Sequence, residues 1–227
     1  MSHNNSTSNQ PNEDELMKSQ MEKMVDSYDS YMGKVTFGRE QVLREMTVDL
    51  AQVKPGDCVL EVGCGTGTLT LAARRRAGST GAAFGIDQIP GMVAASQRKA
   101  AQASEQITFQ IGSIDSIPFP DNRFDVVMCS FMIFHMSEET RRKGIAEIQR
   151  VLKPGGRLLV LDMAAPAQPV QRTIAKLFFG GMLQHKLREL LPLMEAAGFS
   201  NIELGPASFS ILGLQILGFV RGSVRKS

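Results

Sequence analysis

From residue 57 onward, short β-rich apolar runs alternate with longer stretches of helical periodicity, and this alternation constrains the chain more than any other feature. Parallel strands of one sheet must be joined by crossovers, and helices are the usual ones. The pattern therefore reads as βαβ units, an α/β fold with helices on both faces of a mostly parallel sheet. Candidate strands are 57–62, 82–87, 107–111, 124–130 and 157–162, with a final pair near 202–209 and 214–221. The apolar run Phe209–Val220 has 12 residues. It falls short of the roughly 20 that a membrane-crossing helix needs, and reads as a buried strand with no integral membrane segment in the chain.

Several helix ends are legible. Ser137 is placed to cap a helix, with Glu138 and Glu139 in its positive first turn and Ile145, Ile148, Val151 and Leu152 on its core face. Lys153-Pro154-Gly155-Gly156 stops it. Pro90 sits at a first helical position, where its missing N–H costs nothing. A later segment, 170–191, carries Ile174, Leu177, Phe178 and Met182 on one stripe interrupted by Gly180-Gly181. The stripe reads as core packing, with a lid over the ligand as the competing assignment. Two helical segments, 13–31 and 38–50, precede the sheet in a position to cover a ligand. Residues 1–15, rich in Ser, Asn and acids, read as a disordered tail. That leaves 16–227 as one domain with a helical cap over 16–50.

The formal net charge is +2, with bases and acids interspersed, so the chain lacks the long basic face that phosphate neutralisation requires. Nucleic acid is not an expected partner. Short basic runs at 74–76, 141–143 and 221–226 read as solvated helix or strand ends. Cys58, Cys64 and Cys129 are odd in number and far apart, and the three histidines are scattered, so neither a disulfide framework nor a metal site is expected. A reducing, cytoplasmic compartment fits. Oligomeric state is left open by the sequence.

The chemistry concentrates in Val59-Leu60-Glu61-Val62-Gly63-Cys64-Gly65-Thr66-Gly67-Thr68, an apolar strand running into a glycine-rich turn and then a helix. In open α/β sheets ligands collect beyond the carboxyl ends of the strands, which is where this turn lies. Glycines at 63, 65 and 67 let the backbone come close to a ligand. A dinucleotide fingerprint, Gly-x-Gly-x-x-Gly, would need glycine at 68, where the chain has Thr68. Glu61 before the turn suits a cationic amino group and would repel a pyrophosphate. Asp87 closes the next strand about twenty residues on, where a carboxylate can accept hydrogen bonds from ribose hydroxyls.

These residues resemble the Rossmann-like S-adenosylmethionine-dependent methyltransferases, in the branch similar to ubiquinone and menaquinone biosynthesis methyltransferases. The resemblance rests on Glu61–Gly67, on 85–92 (GIDQIPGM), on 117–127 (IPFPDNRFDVV) and on 152–158 (LKPGGRL), and more loosely on Tyr28-Asp29 and Phe37-Gly38. It implies a seven-stranded sheet, parallel except for a last strand inserted antiparallel beside the fifth. It implies S-adenosyl-L-methionine as cofactor, with Glu61 and the loop backbone holding the methionyl part and Asp87 the ribose. The segment after the third strand would hold the adenine. Tyr28, Gly63, Cys64, Gly65, Gly67, Gln88 and Ser130 complete the expected cofactor contacts. The family's usual acid after Gly112 is replaced here by Ser113, with Asp115 two positions later. Either can meet the adenine amino group, and Ile114 should wall the ring.

A methyl on a sulfonium is already activated, so alignment of the acceptor and exclusion of water carry the reaction. The acceptor face is expected at 129–135, the sequence Cys-Ser-Phe-Met-Ile-Phe-His, where most side chains are apolar. It bears no likeness to the Asn/Asp-Pro-Pro-Tyr of amino-directed nucleic-acid methyltransferases. His135 is the candidate general base, because imidazole titrates near neutrality. With 13 methionines and no tryptophan, the chain suits a small quinone, phenolic or lipid-like acceptor. Two other readings are an NAD(P)-binding oxidoreductase, which Thr68 and Glu61 oppose, and a cofactor-binding pseudoenzyme serving as a partner subunit.

Overall fold

The computed structural model describes residues 13–133, 136–166, 168–179 and 186–225. Its centre is a seven-stranded sheet in the order β3-β2-β1-β4-β5-β7-β6. The strands are β1 (Cys58–Val62), β2 (Ala82–Asp87), β3 (Thr108–Ile111), β4 (Phe124–Ser130), β5 (Leu152–Met163), β6 (Phe199–Pro206) and β7 (Leu217–Val224). β1 pairs in parallel with β2 and β4, β2 with β3, and β4 with β5. β7 runs antiparallel to both β5 and β6, so only the last strand is reversed, as the resemblance implies.

The central strands are buried on both faces, and side-chain alternation assigns their residues to two cores. On one face, Val126 and Met128 of β4 and Leu159 and Leu161 of β5 pack with Leu43 and Val48 of α3 (Glu40–Leu50) and Leu69 and Ala73 of α4 (Thr68–Ala77). On the other, Val127, Cys129, Leu158 and Val160 pack with Ile145, Ile148 and Val151 of α6 (Glu138–Val151) and Leu190 and Met194 of α8 (Leu190–Ala196). The remaining helices are α1 (Glu13–Met24), α2 (Tyr28–Val35), α5 (Pro90–Gln102) and α7 (Pro169–Phe179). Ser137 caps α6, its hydroxyl accepting the Thr140 N–H, and Pro90 opens α5. No helix among the described residues is long and apolar enough to cross a membrane.

The structure corrects three expectations. The run 209–216 is a loop and the last strand begins at Leu217. Phe209, Ile211, Leu214 and Ile216 are buried and mimic strand periodicity, but Leu212 and Gly213 take positive φ (52° and 76°) and fold a tight turn closed by reciprocal Ile211–Leu214 backbone bonds. The two described residues of the apolar stripe on α7 are not core: Ile174 and Leu177 are 42% and 82% exposed, while Ala175 beside them is buried. Phe178 and Met182 of that stripe and Gly180-Gly181 lie outside the side chains described. Arg141, expected on a solvated helix end, is buried and donates to the Met136 carbonyl (3.1 Å) and Glu189 (3.5 Å).

Candidate active site

A cavity of about 480 Å³ runs along the carboxyl ends of the strands. At the β2–β3 end it is lined by Asp87, Gln88, Ile89, Gly112, Ser113 and Ile114; in the middle, by Val62, Gly63 and Gly65 after β1. Over β4, β5 and β7 the lining is Ser130, Phe131, Met132, Asp162, Met163 and Leu217. Helices α1 and α2 form the roof, with Met21, Met24, Tyr28, Tyr31, Met32 and Val35 facing in. Neighbouring strands lie about 4.8 Å apart, so β2 to β5 spans roughly 14 Å, long enough for two ligands side by side.

The turn after β1 is held rigidly. Gly63 and Cys64 donate their N–H groups to the Ile86 carbonyl (2.8 and 2.9 Å), and Gly63, Gly65 and Gly67 take φ of 72°, 51° and 80°. Such dihedrals favour glycine. A Cβ on Gly63 would sit 2.8 Å from Met132 Cγ, and one on Gly67 would strike Ser96 and the Phe109 ring. The two glycines thus do different things: Gly63 faces the cavity, and Gly67 lets the turn pack onto α5 and β3. Asp87 organises the turn from below, its Oδ2 accepting the Gly65 N–H and its Oδ1 the Ile89 N–H, each at 2.9 Å. A carboxylate oxygen can accept more than one bond, so capacity for two hydroxyls remains. Burial pushes the Asp87 carboxyl up, and the backbone bonds oppose that rise.

The roof is latched to this turn. The Thr66 hydroxyl donates to Asp29 of α2 (2.6 Å), which also pairs with Lys99 of α5 (2.8 Å). The Thr68 hydroxyl donates to Glu40 of α3 (2.9 Å), which holds Arg44 at 3.0 Å. The Tyr28 ring lies over Gly65, where an added Cβ would come within 3.6 Å of it, and burial raises the phenol's pKa.

Of the residues expected to bind a cofactor, Tyr28, Gly63, Gly65, Asp87, Gln88, Ser113, Ile114 and Ser130 line the cavity together. Glu61, Cys64, Gly67 and Asp115 stand behind it. Glu61 is buried at the end of β1 and accepts the Thr70 hydroxyl; burial pushes its carboxyl up to about 7. Cys64 packs against Val93, Ala100 and Phe109. Asp115 is exposed and accepts the Ser113 hydroxyl. Ile114 is buried in a notch made by Gly144 of α6, where a Cβ would lie 2.6 Å from Ile114 Cγ1. His135 lies outside the described residues.

Sequence reasoning missed Asp162, the last residue but one of β5, as Glu61 is of β1; Asp87 closes β2. Asp162 lines the cavity while only 7% exposed. Its Oδ1 accepts the Met163 N–H (2.7 Å), its buried Oδ2 has no partner among the described residues, and burial pushes the carboxyl up to about 7. The Ser130 hydroxyl likewise is buried with no partner among them.

Residues 59–156 match the family model described as a methyltransferase domain. The chain is 32% identical over 155 residues to a demethylmenaquinone methyltransferase of Symbiobacterium thermophilum, an alignment covering 67% of this chain and 61% of that protein. Against the demethylmenaquinone methyltransferase of Bacillus cytotoxicus the identity is 27%, over 91% of this chain and 97% of the relative. The chain belongs to the Rossmann-like S-adenosylmethionine-dependent methyltransferases. In fold it is similar to magnesium protoporphyrin IX methyltransferase from Synechocystis with bound S-adenosylhomocysteine (TM-score 0.68, 20% identity, 94% of this chain and 100% of that one). The cofactor of this methyltransferase is S-adenosyl-L-methionine, and the NAD(P) reading falls with that membership. The cavity fits it: side-chain-free backbone at Gly63 and Gly65 permits close approach, and the buried Asp87 carboxylate stands at the β2 end.

Proposed function

We propose that this methyltransferase transfers the methyl group of S-adenosylmethionine to a small, apolar hydroxyaromatic acceptor of the quinol or phenol class. The observation that carries the proposal is the division of one cavity into two ends. The β2–β3 end presents Asp87, Gln88 and Ser113, polar groups suited to a nucleoside. The β4–β5–β7 end is lined by Met132, Met136, Met163, Ile211 and Leu217, with Ser130 and Asp162 as polar groups beside them. Adaptable methionines suit a flat apolar body. The names of the relatives from Symbiobacterium and Bacillus support a quinone-like acceptor.

In this reading Asp87 holds the ribose hydroxyls while fixing the turn through Gly65, and Ser113, oriented by Asp115, meets the adenine, which Ile114 walls. Gly63 and Gly65 admit the methionyl chain, with Glu61 behind them attracting its ammonium. Cys64 and Gly67 act through the packing of the turn, and Tyr28 closes over it. When bound, the cofactor supplies an electrophilic methyl on a sulfonium. The protein's part is to align the acceptor, exclude water beneath α1 and α2, and accept the released proton, for which we propose His135.

The test is turnover, followed by mass spectrometry, on prenylated 1,4-naphthohydroquinones, simple phenols and polar amines. Methylation confined to the hydroxyaromatics is expected; methylation of polar amines alone would overturn the acceptor assignment.

A further inference from the structure

The acceptor end of the cavity holds two buried polar atoms that have no partner among the described residues: Ser130 Oγ and Asp162 Oδ2. Unpaired buried polar groups destabilise a fold by about 1–3 kcal/mol each, more when charged, so two in one ligand-accessible cavity call for an occupant. Their placement is fixed. The Phe131 N–H donates to the Leu161 carbonyl (3.0 Å), locking the ends of β4 and β5 side by side; Ser130, on the face of Met128, and Asp162, on the face of Val160, stand on either side of that junction. Both residues are more than nine-tenths buried and both line the cavity.

We propose that Asp162 forms a subsite for a hydroxyl group of the acceptor, a buried polar anchor among the apolar residues described at that end of the cavity, with Ser130 a second polar group across the β4–β5 junction. A hydroxyl can donate its one proton to Asp162 Oδ2. An ammonium brings three protons and a charge into an apolar surround, and Asp162 Oδ2 answers only one of them. An ether has no proton to donate and leaves the carboxylate unpaired. The surrounding Met132, Met163 and Leu217 would pack an aromatic ring in a fixed orientation about this anchor. Binding energy from one oriented hydroxyl is the kind that discriminates sharply, because an analogue lacking the group strands buried polar atoms. The subsite rests on the apolar-acceptor reading above and sharpens it: the acceptor must carry a free hydroxyl.

The experiment is calorimetric titration of the full chain saturated with S-adenosylhomocysteine, using 1-naphthol, 1-methoxynaphthalene and 1-naphthylmethylamine as probes. The wild-type protein should bind 1-naphthol at least about tenfold more tightly than the methyl ether, the scale of one hydrogen bond to a charged group. Asp162→Asn, whose amide nitrogen cannot accept the hydroxyl proton, should shrink that ratio severalfold while leaving S-adenosylhomocysteine affinity unchanged. Equal binding of naphthol and ether, tightest binding of the amine, or an unaltered ratio in Asp162→Asn would overturn the subsite and leave the apolar-acceptor reading standing. If none of the three probes binds while S-adenosylhomocysteine does, that reading fails and the subsite fails with it.

Discussion

Asp162 should cost this protein stability, and the cost should depend on pH. Burial raises its carboxyl from the usual 3.8 to about 7 in the folded state. The folded protein therefore holds a proton on Asp162 more tightly than the unfolded chain does. The penalty is absent below about pH 4, grows as pH rises to 7, and is constant above that. With one pKa unit worth about 1.4 kcal/mol, the loss between pH 5 and pH 8 amounts to about 2–3 kcal/mol. Asp162→Asn removes the titration but keeps a carbonyl oxygen to accept the Met163 N–H. Whatever its amide costs does not change with pH. Urea denaturation of the cofactor-free protein at pH 5 and pH 8 isolates the effect, because Glu61 and Asp87 titrate alike in both proteins. The mutant should gain about 2–3 kcal/mol on the wild type between the two pH values. Parallel stabilities at both pH values would refute a buried, unpaired carboxylate.

Other outcomes follow from the cofactor end. Glu61, raised to about 7 by burial, should be drawn to ionise by the ligand's ammonium, so affinity for S-adenosylhomocysteine should rise between pH 5.5 and 7.5; calorimetry on Glu61→Gln should show that slope flattened. Asp87→Ala removes ribose bonds worth about 1.5–3 kcal/mol and also frees the Gly65 and Ile89 N–H groups, so titration should show cofactor affinity falling by at least about tenfold. Gly63→Ala forces a Cβ to within 2.8 Å of Met132 Cγ at a φ of 72°, and thermal unfolding should show a loss of about 1–3 kcal/mol. His135→Ala should abolish methyl transfer, measured by product formation, with cofactor affinity intact.

The features legible in the sequence were those governed by local chemistry. The turn at 63–67 and Asp87 were readable because glycine at positive φ and an acid at a strand's carboxyl end each have a local signature. Ser137 was readable as a cap for the same reason. Asp162 carried the same signal, an acid at the end of an apolar strand, and stayed hidden because no glycine turn follows it. The segment 209–216 reads as strand because its apolar residues alternate, and positive φ at Leu212 and Gly213 folds it into a turn instead. The notch that Gly144 makes for Ile114 pairs residues thirty positions apart and has no local trace.

The division of the cavity into a nucleoside end and an acceptor end is tested most directly by a crystal structure of the complex with S-adenosylhomocysteine. Ribose hydroxyls on Asp87, adenine beside Ser113 and Ile114, and free space left against Ser130 and Asp162 are the expected arrangement. A nucleoside lying over β4 and β5, with its hydroxyls on Asp162, would contradict it.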